Sequence, residues 1–329
     1  MSAYAVLRTG DEDELLMDIN PAVRLGGAPV KNPDEDLALA VQLAKEADVA
    51  IIVVGLNGDW ESEGYDRTTL ALPGRNDELV EKVAAVNRKT IVVTQSGSVI
   101  TMPWVDSVPT IVHSWCLGNA TGDAIADVLI GKVNPSGRMS FTFPKRLEDV
   151  LSYGHFHSEN GSVLYSEDLF VGYKHYPNIK MKPLWAFGHG LSYTTFEYSD
   201  LIVSQPKVVD LNGKKDLQVI VSLAVANAGS VTGSEIVQVY VAYPVTSALT
   251  QVTLALRAFK KLRDIQPGEK RIAELALDRY AVSYWEERIN AWTIEGGEYT
   301  VYVGPSSESF PVKASLVLQN IDAFEWNGL

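Results

Sequence analysis

At roughly 100–200 residues per domain, a chain of 329 residues leads us to expect two domains. Apolar residues make up 46% and charged residues 21%, which allows cores of ordinary size and excludes wholesale disorder. The formal net charge of −13, from 28 basic and 41 acidic side chains, repels nucleic acid and anionic membrane surfaces, so neither is expected as a partner.

In chain order, Asn32-Pro33-Asp34-Glu35 reads as a helix start, with a capping Asn, a Pro at the first helical position and acids at the positive dipole end. Leu37, Val41, Ala44 and Ala47 continue it on one apolar face. Residues 49–54 read as a strand buried on both faces, closed by Gly55. A polar loop follows, then a helix over 77–86, a buried strand over 90–94 ended by Ser96-Gly97, and a third strand over 110–115. A helix over 121–130 stopped by Gly131 and a last strand over 138–143 complete this half. Strand and helix in alternation imply a mainly parallel sheet with helices on its faces, an α/β sandwich.

Beyond Phe196 the texture changes. Leu217, Val219, Val221, Leu223 and Val225 alternate with other residues, as do Val237, Val239 and Val241. Further strands are expected over 254–262, 271–277, 298–303 and 312–318, separated by turns such as Gln266-Pro267-Gly268. This spacing predicts an antiparallel β-sandwich of immunoglobulin-like size. A long irregular connection, rich in aromatics and Gly, lies between the two textures.

The loop after the first buried strand gathers Asp59, Glu61, Glu63 and Asp66, with Trp60 and Tyr65 among them. In open parallel sheets, ligands bind outside the carboxyl ends of the strands, where this loop lies. Crowded like charges raise the pKa of at least one carboxyl, which suits a general acid, although a solvated acidic loop accounts for the same composition. A calcium loop is rejected because Ser62 stands where an EF-hand needs Gly. Trp60 either packs under its own loop or offers an aromatic face to a sugar ring. Trp104 and Trp115 follow apolar runs and read as core residues. The single cysteine, Cys116, excludes an intramolecular disulfide and a thiolate metal site. No nucleophile elbow, Walker A loop, G-x-G-x-x-G or H-E-x-x-H occurs. No cofactor and no metal is expected.

The run Val53-Val54-Gly55-Leu56-Asn57, then Trp60-Glu61-Ser62-Glu63-Gly64-Tyr65-Asp66-Arg67 and Leu72-Pro73, resembles the carboxyl-terminal half of family-3 glycoside hydrolases, best known as β-glucosidases. The likeness continues through Gln95-Ser96-Gly97, Met102-Pro103-Trp104, Asn134-Pro135-Ser136-Gly137, Val171-Gly172-Tyr173, Phe187-Gly188-His189-Gly190 and Gly297-Glu298-Tyr299. It implies a flavodoxin-like α/β sandwich over 31–150, a connecting segment over 151–197 and a fibronectin type III-like domain over 198–329. Residues 1–30 resemble the tail of an inserted β-rich domain. Two departures are Ala120, where the family usually has an acidic residue, and Asp149-Val150-Leu151 in place of Asp-Asn-Pro.

The resemblance places the acid/base at Glu63, with Trp60 and Arg67 as substrate-binding candidates; Trp60 would line the aglycone side, and Arg67 would hold the acidic loop. It places the nucleophilic Asp in an amino-terminal β/α barrel of roughly 250 residues, for which the residues before the first strand leave no room. Retaining glycosidases need both carboxyls about 5–5.5 Å apart, so this chain alone is expected to be inactive or nearly so. The expected activity of the whole is hydrolysis of terminal β-D-glucosyl residues, on a β-glucoside or oligosaccharide, with a separate barrel domain or a second copy as possible partner. The alternative is a non-catalytic pseudoenzyme or scaffold that binds sugar or a polypeptide. The first residues lack the apolar run of a secretory signal, so a cytoplasmic location is expected, or a secreted one if the natural N-terminus is longer.

Overall fold

The structure is a computed structural model and describes residues 4–6, 32–211, 214–245, 254–319 and 321–324. The chain divides into two compact units, one of Met1–Leu129 with Phe143–Tyr153, the other of Ile130–Thr142 with Gly154–Leu329.

The first unit is built on a parallel sheet of β1 (Tyr4–Val6), β2 (Ala50–Gly55), β3 (Thr90–Gln95) and β4 (Thr110–His113), neighbours in that order. Tyr4–Val6 lies in the stretch expected to be the tail of an inserted domain; the rest of residues 1–30 falls outside the described residues. Helices α1 (Pro33–Glu46), α2 (Asn76–Val86) and α3 (Thr121–Leu129) accompany the sheet. The start of α1 follows its sequence: the Asn32 side chain accepts from the Asp34 N–H, Pro33 opens the helix, and three acids fill the first turn. Its other end is closed by Asn87, whose Nδ2 donates to the Ala44 and Ala47 carbonyls at 2.8 and 3.0 Å. Leu37, Ala40 and Ala44 of α1 and Leu79, Val80 and Val83 of α2 are buried, as are Ile52, Val54, Val92 and Val93 of the sheet. Each fully buried Leu, Ile or Val contributes about 1.5–3 kcal/mol relative to leaving it exposed. Trp104, expected in the core, is 2% exposed and donates from Nε1 to Asp77 Oδ1.

The second unit is the antiparallel β-sandwich that the alternating runs imply. Its strands are β5 (Phe196–Val203), β6 (Lys207–Leu211), β7 (Lys214–Asn227), β8 (Gly233–Ala242), β9 (Ala255–Ile265), β10 (Lys270–Leu277), β11 (Tyr284–Glu286), β12 (Ala291–Ile294), β13 (Gly297–Gly304), β14 (Val312–Leu318) and β15 (Ile321–Phe324). One sheet runs β10-β7-β5, with β6 also on β7, a second runs β14-β13-β8-β9, and β11-β12-β15 form a third. The core is the inward half of the alternation: Val219, Val221, Leu223 and Val225 of β7 meet Val237, Val239 and Val241 of β8 and Val301 and Val303 of β13.

The strand expected over 138–143 does not form. Its backbone is committed to a turn instead: the Met139 N–H donates to the His189 carbonyl at 2.8 Å, and the Gly188 N–H donates to the Met139 carbonyl at 2.7 Å. Arg138 is buried beside Glu235 of β8, with Nη2 to Oε1 at 2.6 Å. The stretch therefore serves as a strap on the sandwich and adds no strand to the parallel sheet.

Candidate active site

The acidic loop leaves the carboxyl end of β2 across a backbone contact that only glycine allows. A Cβ on Gly55 would stand 2.0 Å from the Gln95 carbonyl oxygen, the atom that accepts the Leu56 N–H at 2.8 Å. Asn57 then organises the turn. Its carbonyl accepts from the Trp60 and Glu61 N–H groups at 3.0 and 2.9 Å, and its Oδ1 accepts from the Asp59 N–H at 3.0 Å. Tyr65 ties the far side back by donating its hydroxyl to the Gly58 carbonyl at 2.9 Å. Ser62 and Tyr65 form an isolated antiparallel bridge, which leaves Glu63 at the tip of a tight turn. Glu63 is exposed and makes no hydrogen bond or ion pair among the described residues.

Glu61 behaves differently. It turns onto the segment after β3, where Oε2 accepts the Gly97 N–H at 2.7 Å and Oε1 accepts the Ser98 hydroxyl. Arg67 reaches the same segment, its Nη2 donating to Ser98 Oγ at 2.9 Å and to the Val99 carbonyl at 2.8 Å. Burial pushes the Arg67 guanidinium below its ordinary pKa, and the Glu61 charge partly restores it. At the end of β4, His113 Nδ1 lies 2.9 Å from Thr94 Oγ1, and its ring meets Trp115 edge-on at 4.3 Å. Burial holds the imidazole down to about 4, against the pull of Glu61, so the ring is neutral at neutral pH. The Cys116 thiol, next along, is pushed up by burial first and by the Glu61 charge second.

The crowd of four carboxyls expected from the sequence is thus parted. Asp59, Glu63 and Asp66 are exposed, while Glu61 is half-buried and bonded across to the β3 end. Trp60 is half-buried beside Glu61. Trp115, expected in the core, is half-buried at the carboxyl end of β4 with φ 53°. That left-handed backbone is costly for a bulky residue and is found most often near functional sites. Sequence reasoning gave no site role to Gly97, which it read as a strand end, or to Trp115, which it read as core, and did not single out Ser98 or His113; the available signal was a polar Gly-Ser step directly after a buried parallel strand. Among the described residues no group of three His, Cys, Asp or Glu side chains stands close enough to hold a metal ion.

A parallel sheet with an acidic loop at its carboxyl end, followed in sequence by an antiparallel β-sandwich, is the two-unit arrangement that the sequence resemblance implies. The model of the glycosyl hydrolase family 3 C-terminal domain matches residues 7–193, and that of the fibronectin type III-like domain matches residues 235–307. The chain belongs to glycosyl hydrolase family 3. It is 42% identical over 309 residues to the probable beta-glucosidase J of Neosartorya fischeri, covering 93% of this chain and 35% of that protein. Among solved structures, the beta-glucosidase from Kluyveromyces marxianus in complex with glucose is 38% identical with a TM-score of 0.83, covering 92% of this chain and 35% of that one. The family 3 beta-glucosidase of Bifidobacterium adolescentis is 37% identical with a TM-score of 0.80, covering 95% and 44%. The chain thus spans about a third of the length of the curated relatives it matches, 35% and 34% for the first two.

Proposed function

We propose that this chain is the carboxyl-terminal part of a retaining β-glucosidase in which Glu63 is the acid/base. The observation that carries this reading is the placement of Glu63: an exposed carboxyl on the tip of a braced turn, at the sheet end where α/β folds bind ligands. As the bond to the aglycone breaks, Glu63 donates its proton to the leaving oxygen while a nucleophilic carboxylate on the barrel domain, implied by the family resemblance, bonds to the anomeric carbon. Glu63, now a carboxylate, then takes a proton from the water that displaces the sugar from that nucleophile. Trp60 lines the aglycone side, and Arg67 holds the loop through Ser98 and Val99. With one of two required carboxyls, the chain alone is inactive or nearly so.

A second reading, a non-catalytic protein that binds a partner, draws on the apolar side chains left in solvent after Tyr153, with Phe156 49%, Leu164 64% and Tyr165 86% exposed. An assay of β-glucoside hydrolysis by the chain, with and without a separately produced barrel domain, separates the two. Activity that needs the barrel and falls about 10²–10⁴-fold in Glu63→Gln supports the first reading. Sugar binding with no rescue by the barrel supports the second, and robust turnover by the chain alone defeats the claim that half the machinery lies elsewhere.

A further inference from the structure

Glu61 and Glu63 are separated by a single serine, yet the structure gives them opposite tasks. Among the described residues, Glu61 is the one carboxyl of the loop that bonds to another segment of the chain. Both of its oxygens act as acceptors, one for a backbone N–H and one for a hydroxyl, which is the arrangement of a held carboxylate and leaves no outward O–H to give away. The approach is close: a Cβ on Gly97 would lie 3.3 Å from both Glu61 oxygens, so the absence of a side chain there lets the carboxylate reach the amide. Arg67 grips the same Ser98 from the far end of the loop, so residues 61 and 67 are pinned to one short segment and the stretch between them projects as the turn that carries Glu63.

We infer that Glu61 is a positioning residue for Glu63: clamped to Gly97 and Ser98, it fixes the base of the turn and thereby sets where the proton donor stands. This rests on the reading of Glu63 as the acid/base. Geometry of a proton donor matters most when the leaving group is poor, because a weakly basic leaving oxygen departs with little protonation and a strongly basic one does not.

The test compares two substrates, methyl β-glucoside with a poor leaving group and 2,4-dinitrophenyl β-glucoside with a good one, hydrolysed by the full chain supplemented with the barrel domain. Because Glu63 also serves as base in the later water step, the readout is kcat/KM, which reports transfer of the sugar to the nucleophile: Glu61→Ala is expected to lower kcat/KM on the methyl glucoside by about tenfold or more, with a loss of about threefold or less on the dinitrophenyl glucoside. Glu61→Gln, which keeps one acceptor oxygen, is expected to lie between wild type and Ala. If Glu63→Gln shows the leaving-group dependence and Glu61→Ala slows both substrates equally or neither, the positioning role is wrong and the acid/base reading stands. If Glu63→Gln shows no such dependence, the acid/base reading itself falls and this inference falls with it. Should the supplemented chain turn over neither substrate, hydrogen exchange decides. Faster exchange across residues 56–67 in Glu61→Ala, with α1 unchanged, supports the clamp, and unchanged protection of that loop overturns it.

Discussion

Two buried polar sites, one in each unit of this protein, are built to different ends. In the sandwich, Asn227 sits 1% exposed at the end of β7 and spends all four of its hydrogen-bonding positions. Its Nδ2 donates to the Val231 and Ile265 carbonyls, each at 2.8 Å, and its Oδ1 accepts from the Thr194 hydroxyl at 2.5 Å and the Gly229 N–H at 3.1 Å. At the carboxyl end of the parallel sheet, Arg67 Nη1 and His113 Nε2 are buried without a partner among the described residues, and both groups stand in the field of Glu61. A polar group satisfied on every side locks a loop and can do little else. Arg67 and His113 each keep a buried N–H or ring nitrogen in reserve beside the clamped Glu61 carboxylate.

The largest effect that would sharpen this contrast lies in the sandwich unit. Arg138 and Glu235 are 7% and 5% exposed, and Glu235 Oε1 also accepts the N–H of Ile236 at 2.7 Å. The charge of Glu235 is felt at Tyr198, whose hydroxyl is pushed upward by burial first and by that carboxylate second. Arg138→Met strands the carboxylate in the interior and is expected to cost about 3–5 kcal/mol in chemical unfolding, whereas Arg138→Met with Glu235→Met recovers most of it. A single variant as stable as wild type would mean that the strap over 138–143 does not depend on the pair.

How far the sequence led follows the same division. Strands β2, β3, β7, β8 and β13 were legible because burial imposes an apolar run or a strict alternation on residues adjacent in the chain. Strand β5 escaped because its pairing with β7 shifts register between Ser199 and Ile202, where Asp200 takes a φ of 54° and breaks the alternation. The stretch over 138–143 looked like a strand because Met139, Phe141 and Phe143 alternate, and alternation does not say whether the backbone meets a strand or a turn. At the site, the acidic loop stood out by composition, but its four carboxyls looked equivalent. What separates Glu61 from Glu63 is a bond to Gly97, 36 residues away, and no local pattern encodes a contact at that distance.

A middle-sized effect belongs to His113. Its ring takes a proton below about pH 4 in the folded chain and below about 6.5 when unfolded, so across that window the unfolded chain binds the extra proton. Stability is therefore complete above about pH 6.5 and falls as the pH drops toward 4, by about 2–3 kcal/mol from this group. His113→Asn keeps an acceptor near Thr94 and removes the titration. The difference between wild-type and variant unfolding free energies, followed from pH 7 to 4, is expected to slope through this window, and a flat difference would show that the ring is not held neutral by burial.

The smallest effect tests the open end of the sheet directly. Gly97→Ala adds a Cβ that would stand 3.3 Å from the two Glu61 oxygens, closer than ordinary contact, and the neighbour that must yield is a side chain and not backbone. Because Glu61 can swing away, the cost to global stability is expected to be about 1 kcal/mol or less. The loop should register the change far more than the fold does: the Gly97 N–H loses its 2.7 Å acceptor, and exchange across residues 56–67 rises while α1 and α2 keep their protection. Loss of protection throughout the unit would instead make the Glu61 contact a support of the fold, and the distinction between the locked Asn227 site and the open sheet end would lose its sharpest example.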